Sequence, residues 1–314
     1  MNKNEMIREL RALTSAGMKD CKDSLEESNW DLSKAVDIIK TKGLNIADGR
    51  SGRAASEGIV SIYCGQGGHK QNFMAEINCQ TDFVANSPDF KDFVHHTMDT
   101  LCSKRDTFQI SDVEMKRQAL VAITKENIVV RRWWIEEAVA PNARIFSYLH
   151  SNNKIGVILT LQAPDIFYRE ADRAVLVPKN LPEFIELGDN LAMQVAAMNP
   201  LAIDIERLAP EAVTRQQAIF EQQLTDQKKP QAAWPKILEG KFRKWQTEVC
   251  LMEQESVWVP KTSVKQVIAN TETIIGGPIK IVTMIRCQVG ENIEVKKDNL
   301  DEEVAKLIDQ ENNK

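Results

Sequence analysis

The 314-residue sequence lacks the features that mark several large classes of protein. No apolar run reaches the roughly 18 residues that a transmembrane helix requires. Residues 1–5 contain no apolar core of a signal peptide, and they are not the Arg-rich, acid-poor start of a mitochondrial presequence. The 40 basic and 45 acidic residues give a net charge of −5, so the total shows no nucleic-acid footprint. These absences predict a cytoplasmic protein without a membrane partner or direct nucleic-acid binding.

Cysteine is sparse and scattered along the chain. Six cysteines occur, and no two of them form a Cys-x-x-Cys pair. Their even number is compatible with disulfides, but nothing else in the sequence points outside the cell. We therefore expect buried thiols in a reducing compartment. The six are Cys21, Cys64, Cys79, Cys102, Cys250 and Cys287.

The usual enzymatic motifs are missing as well. There is no Gly-x-x-x-x-Gly-Lys-Ser/Thr loop, no Gly-x-Gly-x-x-Gly after a strand and no Gly-x-Ser-x-Gly elbow. The glycine-rich residues 65–68 lie between two strand-like runs, which predicts a hairpin turn. His95 and His96 are adjacent and lack the helical spacing of a zinc pair, so a solvated helix face is expected there. The sequence predicts no catalytic residue, no cofactor and no metal site, although missing motifs do not exclude an enzyme.

The first 45 or so residues have the pattern of three short helices. Ile7, Leu10 and Leu13 give the first helix an apolar edge, and Asn29 or Asp31 can cap the third. A unit of this size resembles a ubiquitin-associated (UBA) domain. A polar, flexible linker follows it.

From about residue 55 the pattern changes to strands and helices that occur twice. The first set has strands at 59–64 and 73–77, helices at about 88–103 and 111–125, and a strand at 128–133. The second set has strands at 143–149 and 155–161, followed by a helix containing Leu191 and Val195. The repetition predicts two related subdomains.

An insertion interrupts the second set. Residues 210–250 carry two one-sided apolar stripes, which predict two antiparallel helices that project as a coiled-coil hairpin. Packing of those stripes onto the main core is the alternative. A break between the helices is expected at 228–230, and a second at Pro235. The chain is predicted to return to the sheet through 257–259 and 279–285, and a last amphipathic helix is predicted over 299–309.

Together these patterns predict an α+β fold with seven segments. It would contain a three-helix UBA-like module, a core of two related β-β-α subdomains with antiparallel sheets, an inserted coiled-coil hairpin and a C-terminal helix. The predicted boundaries are 1–47 for the helical module, 48–56 for the linker, 57–140 for subdomain N, 141–209 for the first part of subdomain C, 210–250 for the hairpin, 251–290 for the return of subdomain C and 291–314 for the C-terminal module.

Residues 75–86 are the most informative stretch. A strand ends near Ile77, a helix begins at 87–89, and Asp82 and Phe83 stand side by side between them. Strand alternation would send these two side chains to opposite sides of an exposed corner. The alternative is that Asp82 caps the following turn while Phe83 folds back into the core, as most aromatic residues do.

The stretch Thr81-Asp82-Phe83-Val84 resembles the Thr-Asp-Phe-Val motif of the bacterial elongation factor Ts family. Residues 9–22, which include Gly17-Met18 and Asp20-Cys21-Lys22, are similar to the signature of that family's first domain, and residues 53–58, 126–132, 155–157, 238–241 and 289–291 add shorter matches in the same order. The resemblance covers nearly the whole chain. It implies the family's fold, namely the UBA-like start, the duplicated core and the protruding hairpin.

The resemblance also implies a function and a partner. The partner is the GTPase elongation factor Tu in its GDP-bound and nucleotide-free forms, and the act is expulsion of GDP without covalent chemistry or a cofactor. Thr81, Asp82, Phe83 and Val84 would form the contact that dislocates Mg²⁺, with Phe83 as an apolar wedge and Asp82 near the metal. The resemblance implies weaker partner contacts at four further positions, which are Arg11, Met18, Ile128 and His150. The hairpin is a candidate surface for self-association.

Two other classes of function remain open from sequence. A scaffold that binds ubiquitin-like proteins would use the helical module and would hold Phe83 in its core. An uncharacterised enzyme would combine the glycine-rich turn at 65–68 with Asp82 in one pocket.

Overall fold

A computed structural model describes residues 2–14, 16–39, 41, 52–65, 70–164, 167–168, 177–178 and 181–294. The fold is α+β. Its ten described α-helices are α1 (Lys3–Thr14), α2 (Met18–Glu27), α3 (32–39), α4 (Asp82–Asn86), α5 (Pro88–Lys104), α6 (Glu114–Thr124), α7 (Leu181–Met198), α8 (Pro210–Asp226), α9 (Trp234–Val249) and α10 (Val264–Ile275). The strands are β1 (Glu57–Cys64), β2 (Gln71–Cys79), β3 (Val129–Glu137), β4 (Ala143–Leu149), β5 (Ile155–Gln162), β6 (Phe167–Tyr168), β7 (Val177–Pro178) and β8 (Lys280–Gln288). No helix in these ranges is long and apolar enough to span a membrane.

Helices α1 to α3 form a small unit with its own apolar core. Leu10, Cys21 and Leu25 are fully buried in it. The Asp31 carboxylate accepts the N–H of Lys34 at 3.1 Å, so the predicted cap of the third helix is confirmed at Asp31. Leu13 does not complete the buried edge that its spacing suggests, because 63% of it is exposed.

The first sheet has the order β1-β2-β3, and both pairs are antiparallel. Phe73, Ala75 and Ile77 point from β2 into a core shared with α5 and α6. The alternate residues, Met74 and Glu76, point to the opposite face and are also fully buried. Since both faces of β2 are covered, its burial is nearly continuous along the strand.

The second sheet has the order β4-β5-β8, also antiparallel, and it packs against α7 and α10. The rings of Phe146 on β4 and Phe184 on α7 meet edge to face at 5.6 Å. The predicted strand at 257–259 is wrong, because these residues form bends, in which Val257 is half exposed. Helix α10 follows instead, with its first turn capped by Ser263 and its end closed by Gly276 at φ +83°.

The two sheets face each other through a seam, which we define as the contact between Val60, Met74, Ile145, Ile158 and Cys287. A β-carbon added at Gly156 on β5 would lie 2.5 Å from Val60 Cγ1, so the sheets touch closely at that glycine. The backbone N–H of Val60 also donates to the carbonyl of Asn153, at 2.8 Å. The layers therefore run from α5 and α6 through the two sheets to α7 and α10.

A buried carboxylate at the edge of the seam forms hydrogen bonds to residues of both sheets. Glu76 on β2 is fully buried and accepts hydrogen bonds from Arg131 Nη1 at 3.0 Å and from Arg132 Nε on the neighbouring strand. It also accepts the backbone N–H of Gly290 at 2.8 Å, just beyond the end of β8. Burial by itself raises the pKa of this carboxyl, but the hydrogen bonds outweigh it and hold the pKa below its usual value. Glu76 therefore joins the two sheets as an anion.

Helices α8 and α9 pack side by side as a hairpin. The rings of Phe220 and Phe242 lie 5.3 Å apart, edge to face, and Lys241 Nζ donates to Gln223 Oε1 at 2.7 Å. The predicted break at Pro235 is wrong, because Pro235 lies in the first turn of α9. A residue in that turn has no helical acceptor for its N–H, so proline loses no hydrogen bond there. The helix pair shares its apolar cluster with residues at its base, among them Ala202 and Cys250.

All six cysteines are free thiols, but they are not all buried. Cys21, Cys79, Cys250 and Cys287 are buried, Cys102 is half-buried and Cys64 is exposed at the end of β1. The expectation of six buried thiols is thus wrong at two positions. The predicted helix at 299–309, residues 48–51 of the predicted linker and residues 66–69 lie outside the described residues.

Candidate functional site: the corner between β2 and α5

The corner, which we define as residues 80–87, turns the chain from the end of β2 into α5. Thr81 is extended, with φ −124° and ψ 154°, and its hydroxyl accepts the N–H of Val84 at 3.4 Å. It therefore caps α4, which is a single short helical turn. Ser87 closes that turn by donating its hydroxyl to the Val84 carbonyl at 2.7 Å and caps α5 in its turn. Asp82 and Phe83 consequently lie on a helical turn, and the expectation that strand alternation places them is wrong.

The side chains of the corner divide into an outer and an inner set. Phe83 is 84% exposed, and Asp82 beside it is also exposed. Val84 is half-buried and Ala85 buried against the core of the first sheet. The alternative in which Phe83 folds into the core is wrong, and so is the one in which Asp82 caps the turn, because Thr81 does so. The corner presents a large apolar side chain and a carboxylate to solvent on a base that is anchored in the core.

The thiol of Cys79, next to the corner, is not reactive. Cys79 is fully buried, and its Sγ lies 3.1 Å from the Thr81 carbonyl. Burial, followed by the nearby charge of Glu126, raises the pKa of this thiol to about 12. It stays protonated near neutral pH and serves as a packing group. In the described ranges, no group of three or more His, Cys, Asp or Glu side chains could hold a metal.

Glu126 is a residue of the site to which the sequence patterns assigned no role. Its Oε2 accepts the N–H groups of Gln80 and Thr81, each at 3.0 Å, and its Oε1 accepts the Thr81 hydroxyl at 2.6 Å. The register explains the contact: β2 and β3 pair antiparallel with Asn78 opposite Val129, so continuing the ladder brings 81 opposite 126. An acidic residue just before β3 was the signal, but it has meaning only once the strand pairing is known.

Arg11 and Met18 lie together in the three-helix unit, next to the start of α5, the helix that follows the corner. Arg11 is exposed at the end of α1, and Met18, which begins α2, is 51% exposed. Both line a cavity of about 590 Å³ whose far wall includes Asp89, in the first turn of α5, and Ile123 of α6. The structure therefore brings these two predicted contact residues to the side of the core that carries the corner.

His150 and Ile128 are placed differently. His150 is exposed at the end of β4 on the second sheet, where its Nδ1 lies 3.0 Å from the Tyr148 hydroxyl oxygen. It is thus on the other sheet from the corner. Ile128 is fully buried in the first sheet's core, as a hydrophobic residue next to a strand usually is, so its side chain has no surface with which to contact a partner.

The enzyme alternative fails on geometry. It requires the glycine-rich turn at 65–68 and Asp82 to share one pocket. Gly65, within that turn, bonds to Gln71 at the start of β2, whereas Asp82 follows the end of β2. A strand of nine residues at about 3.3 Å per residue separates its ends by about 30 Å. Gly65, the residue of that turn that the structure describes, therefore lies at the opposite end of the first sheet from Asp82.

Comparison with known proteins gives a consistent result over most of the chain. The sequence profile of the family Elongation factor TS matches residues 80–291, from the corner to the end of the second sheet. The Elongation factor Ts of Clostridioides difficile (strain 630) is 35% identical over 314 residues, covering 97% of this chain and 98% of that protein. Those of Clostridium novyi (strain NT) and Lawsonia intracellularis (strain PHE/MN1-00) are 32% and 34% identical, over 98% and 91% of this chain and 98% of each relative.

Proposed function

The chain belongs to the elongation factor Ts family, and on that premise we propose that it is a guanine-nucleotide exchange factor for elongation factor Tu in protein synthesis. It binds the GDP form of the GTPase, speeds release of GDP and so allows GTP to bind. The observation that carries the proposal is the corner, where an 84% exposed Phe83 and an exposed Asp82 stand on a base fixed in the core. No covalent chemistry and no cofactor is needed for this act.

The chemistry of the corner suits the disturbance of a nucleotide site. GTPases hold nucleotide with backbone amides, a lysine and Mg²⁺. Burial of a Phe side chain against a partner contributes about 1.5–3 kcal/mol, which can drive apart apolar side chains behind such a site. Asp82 would bring a negative charge to the surroundings of the metal, where the balance of charge and hydrogen bonds decides whether Mg²⁺ stays. Thr81 and Val84 hold the two acting residues in place.

Linkage sets how much of the exchange Phe83 can supply. An exchange factor that weakens GDP binding is itself displaced by nucleotide through the same coupling free energy. Each tenfold loss of GDP affinity takes about 1.4 kcal/mol, so Phe83 alone accounts for one to two powers of ten. Further contacts must supply the remainder.

The remaining contacts are proposed on both sides of the corner. The helices α1 to α3 would act as a UBA-like docking module through Arg11 and Met18, and His150 on the second sheet would contact a different domain of the partner. The hairpin α8–α9 would project as a coiled coil and serve self-association. The division into subdomain N at 57–140 and subdomain C at 141–209 and 251–290 is part of the same proposal, and it agrees with the two sheets.

The direct test is release of a fluorescent GDP analogue from purified bacterial elongation factor Tu. We expect the wild-type protein to accelerate release strongly and Phe83→Ala to lower the stimulated rate about 10- to 100-fold, because truncation removes about 1.5–3 kcal/mol of burial. Asp82→Asn is expected to lower it as well, at an unchanged melting temperature.

Val139→Ala is the matched control for Phe83→Ala. Val139 is 88% exposed after β3, so the change also removes an exposed apolar side chain and should leave the rate unaltered. A wild-type protein that leaves the spontaneous rate of GDP release unchanged would overturn the proposal.

The docking role of the helical module predicts a different kinetic signature. We expect Arg11→Ala combined with Met18→Ala to raise the concentration needed for half-maximal stimulation about tenfold, because the lost contacts hold the partner without reaching its nucleotide. The maximal rate should stay within twofold of the wild type. A fall in the maximal rate at an unchanged half-maximal concentration would contradict the docking role; a titration of the release rate against concentration separates the two.

A further inference from the structure

The carboxylate of Glu126 binds the two residues that lead into the corner. It accepts the backbone N–H of Gln80 and of Thr81, each at 3.0 Å, and the Thr81 hydroxyl at 2.6 Å. Hydrogen bonds to an ionised acceptor are roughly twice as strong as neutral ones. Both the backbone and the side chain of the residue that caps α4 are thus held by one group.

The neighbour of Glu126 holds the same stretch from the other side. The N–H of Asn127 donates to Gln80 Oε1 at 3.0 Å, and its Nδ2 donates to the carbonyl of Arg53 at 2.8 Å. Asn127 is buried and Glu126 half-buried, so this network lies between the corner and the chain that enters β1. Gln80 and Thr81 are consequently restrained at their backbones and at both side chains.

These contacts begin where the sheet ends. The ladder between β2 and β3 stops at Asn78 and Val129, so the two N–H groups beyond it take their partners from Glu126. A buried backbone N–H group without a hydrogen-bond partner costs free energy, and the chain rearranges to avoid that loss. The path of the chain from β2 to Asp82 and Phe83 is therefore held by this carboxylate, with Asn127 as a second support.

We propose that Glu126 is a positioning residue for exchange: it fixes the corner in the orientation that presents Phe83 and Asp82 to the partner before the partner arrives. The inference rests on the proposed function and adds a residue to it. Preorganisation raises the effect of a contact by removing the ordering that binding would otherwise require. Glu126 itself does not touch the partner.

The test uses Glu126→Gln in the full-length chain. Glutamine keeps the length and one acceptor oxygen, but it is neutral, so its bonds to the two N–H groups are weaker, and its nitrogen cannot accept the Thr81 hydroxyl proton that Oε1 accepts. The release rate of a fluorescent GDP analogue from elongation factor Tu is measured over a series of concentrations. We expect the maximal rate to fall about tenfold while the half-maximal concentration changes less than threefold, because the wider contact area is intact.

This signature separates positioning from a merely structural role. A smaller folded fraction would raise the apparent half-maximal concentration and leave the maximal rate as it is. Glu272→Gln is the matched control, because the Glu272 carboxylate also accepts a loop N–H, that of Ile279 at 2.8 Å, but on the second sheet. It should keep the wild-type maximal rate.

Two further measurements make the inference falsifiable if Glu126→Gln is poorly folded. Glu126→Asp keeps the charge but is too short to reach both N–H groups, and it should lower the maximal rate as well. In the free protein, amide hydrogen exchange of residues 80 and 81 should be at least tenfold faster in either variant than in the wild type.

The double variant with Phe83→Ala gives the sharpest outcome. If Glu126 acts by aiming Phe83, Glu126→Gln should lower the maximal rate less than twofold in the Phe83→Ala background. A full tenfold effect in that background, or a wild-type maximal rate for both Glu126 variants, overturns the inference. A wild-type protein that does not accelerate release overturns the proposed function instead, so the two failures are distinguishable.

Discussion

Replacing Glu76 with alanine is expected to lower the free energy of unfolding by about 3–5 kcal/mol, the usual cost of removing one partner from a buried ion pair. Glu76 is fully buried, and Arg131 and Arg132, which donate to it, are mostly buried themselves. Without the carboxylate the two guanidinium groups repel each other, and the N–H of Gly290 loses its acceptor. Urea denaturation at pH 7 measures the change.

Glu137→Ala is the matched control on the neighbouring strand. Glu137 pairs with Arg105 at 3.3 Å, but both side chains are about half exposed, and exposed pairs contribute at most about 1 kcal/mol. A loss for Glu76→Ala no larger than that for Glu137→Ala would show that the buried carboxylate does not hold the sheets together.

The same residue gives the stability a defined pH dependence. Because the pKa of Glu76 is lowered in the folded state, its contribution is complete above the unfolded value of about 4.3 and is lost as the pH falls through the lower folded value. The difference in stability between wild type and Glu76→Gln should therefore be constant from about pH 7 to 5 and shrink below about pH 4. A difference that grows on acidification would contradict the sign of the shift.

Gly156→Val is expected to cost about 3 kcal/mol, at the upper end of what overpacking a core usually costs. The added β-carbon would meet Val60 Cγ1 at 2.5 Å and Met74 Sδ at 2.9 Å across the seam. Met74 can move its flexible thioether, but Val60 has one preferred side-chain rotamer and lies in the seam, so it cannot easily move away. The sheets must therefore move apart, and the melting temperature reports it.

Gly240→Val on α9 makes the control for this substitution. No atom lies within 4 Å of the added β-carbon there, and valine and glycine differ little in helix propensity. We expect a change within about 0.5 kcal/mol. Equal effects at the two glycines would mean that the seam is not tightly packed.

The sequence predicted the elements of the fold better than their partners. Strand β4 was predicted with its observed bounds, 143–149, because its apolar run is bounded by turn residues. The pairing of the strands was not predictable, because it brings together residues that are far apart in the chain. Thr81 and Glu126, for example, are in contact although 45 residues separate them in sequence. Such pairings depend on the packing of the whole core rather than on local periodicity.

Two errors came from local pattern reading. Val264, Val267, Ile268 and Ile275 have helical spacing and are buried in α10, but the apolar residues on either side favoured strands. At the corner, the continuation of strand alternation past Cys79 ignored Thr81, whose hydroxyl can cap a helical turn. The exposure of Phe83 was anticipated only through its motif, because an isolated aromatic residue is more often buried.

The seam between the two sheets has a mechanical consequence for the proposed exchange. The corner belongs to one sheet and His150 to the other, and the contact at Gly156 and the anion at Glu76 leave little play between them. When two bodies are pressed together, the more compliant one takes up most of the strain, and a close-packed interior has low compliance. A rigid pair of sheets would keep its own shape in the complex, so the deformation would occur in the nucleotide site of its partner.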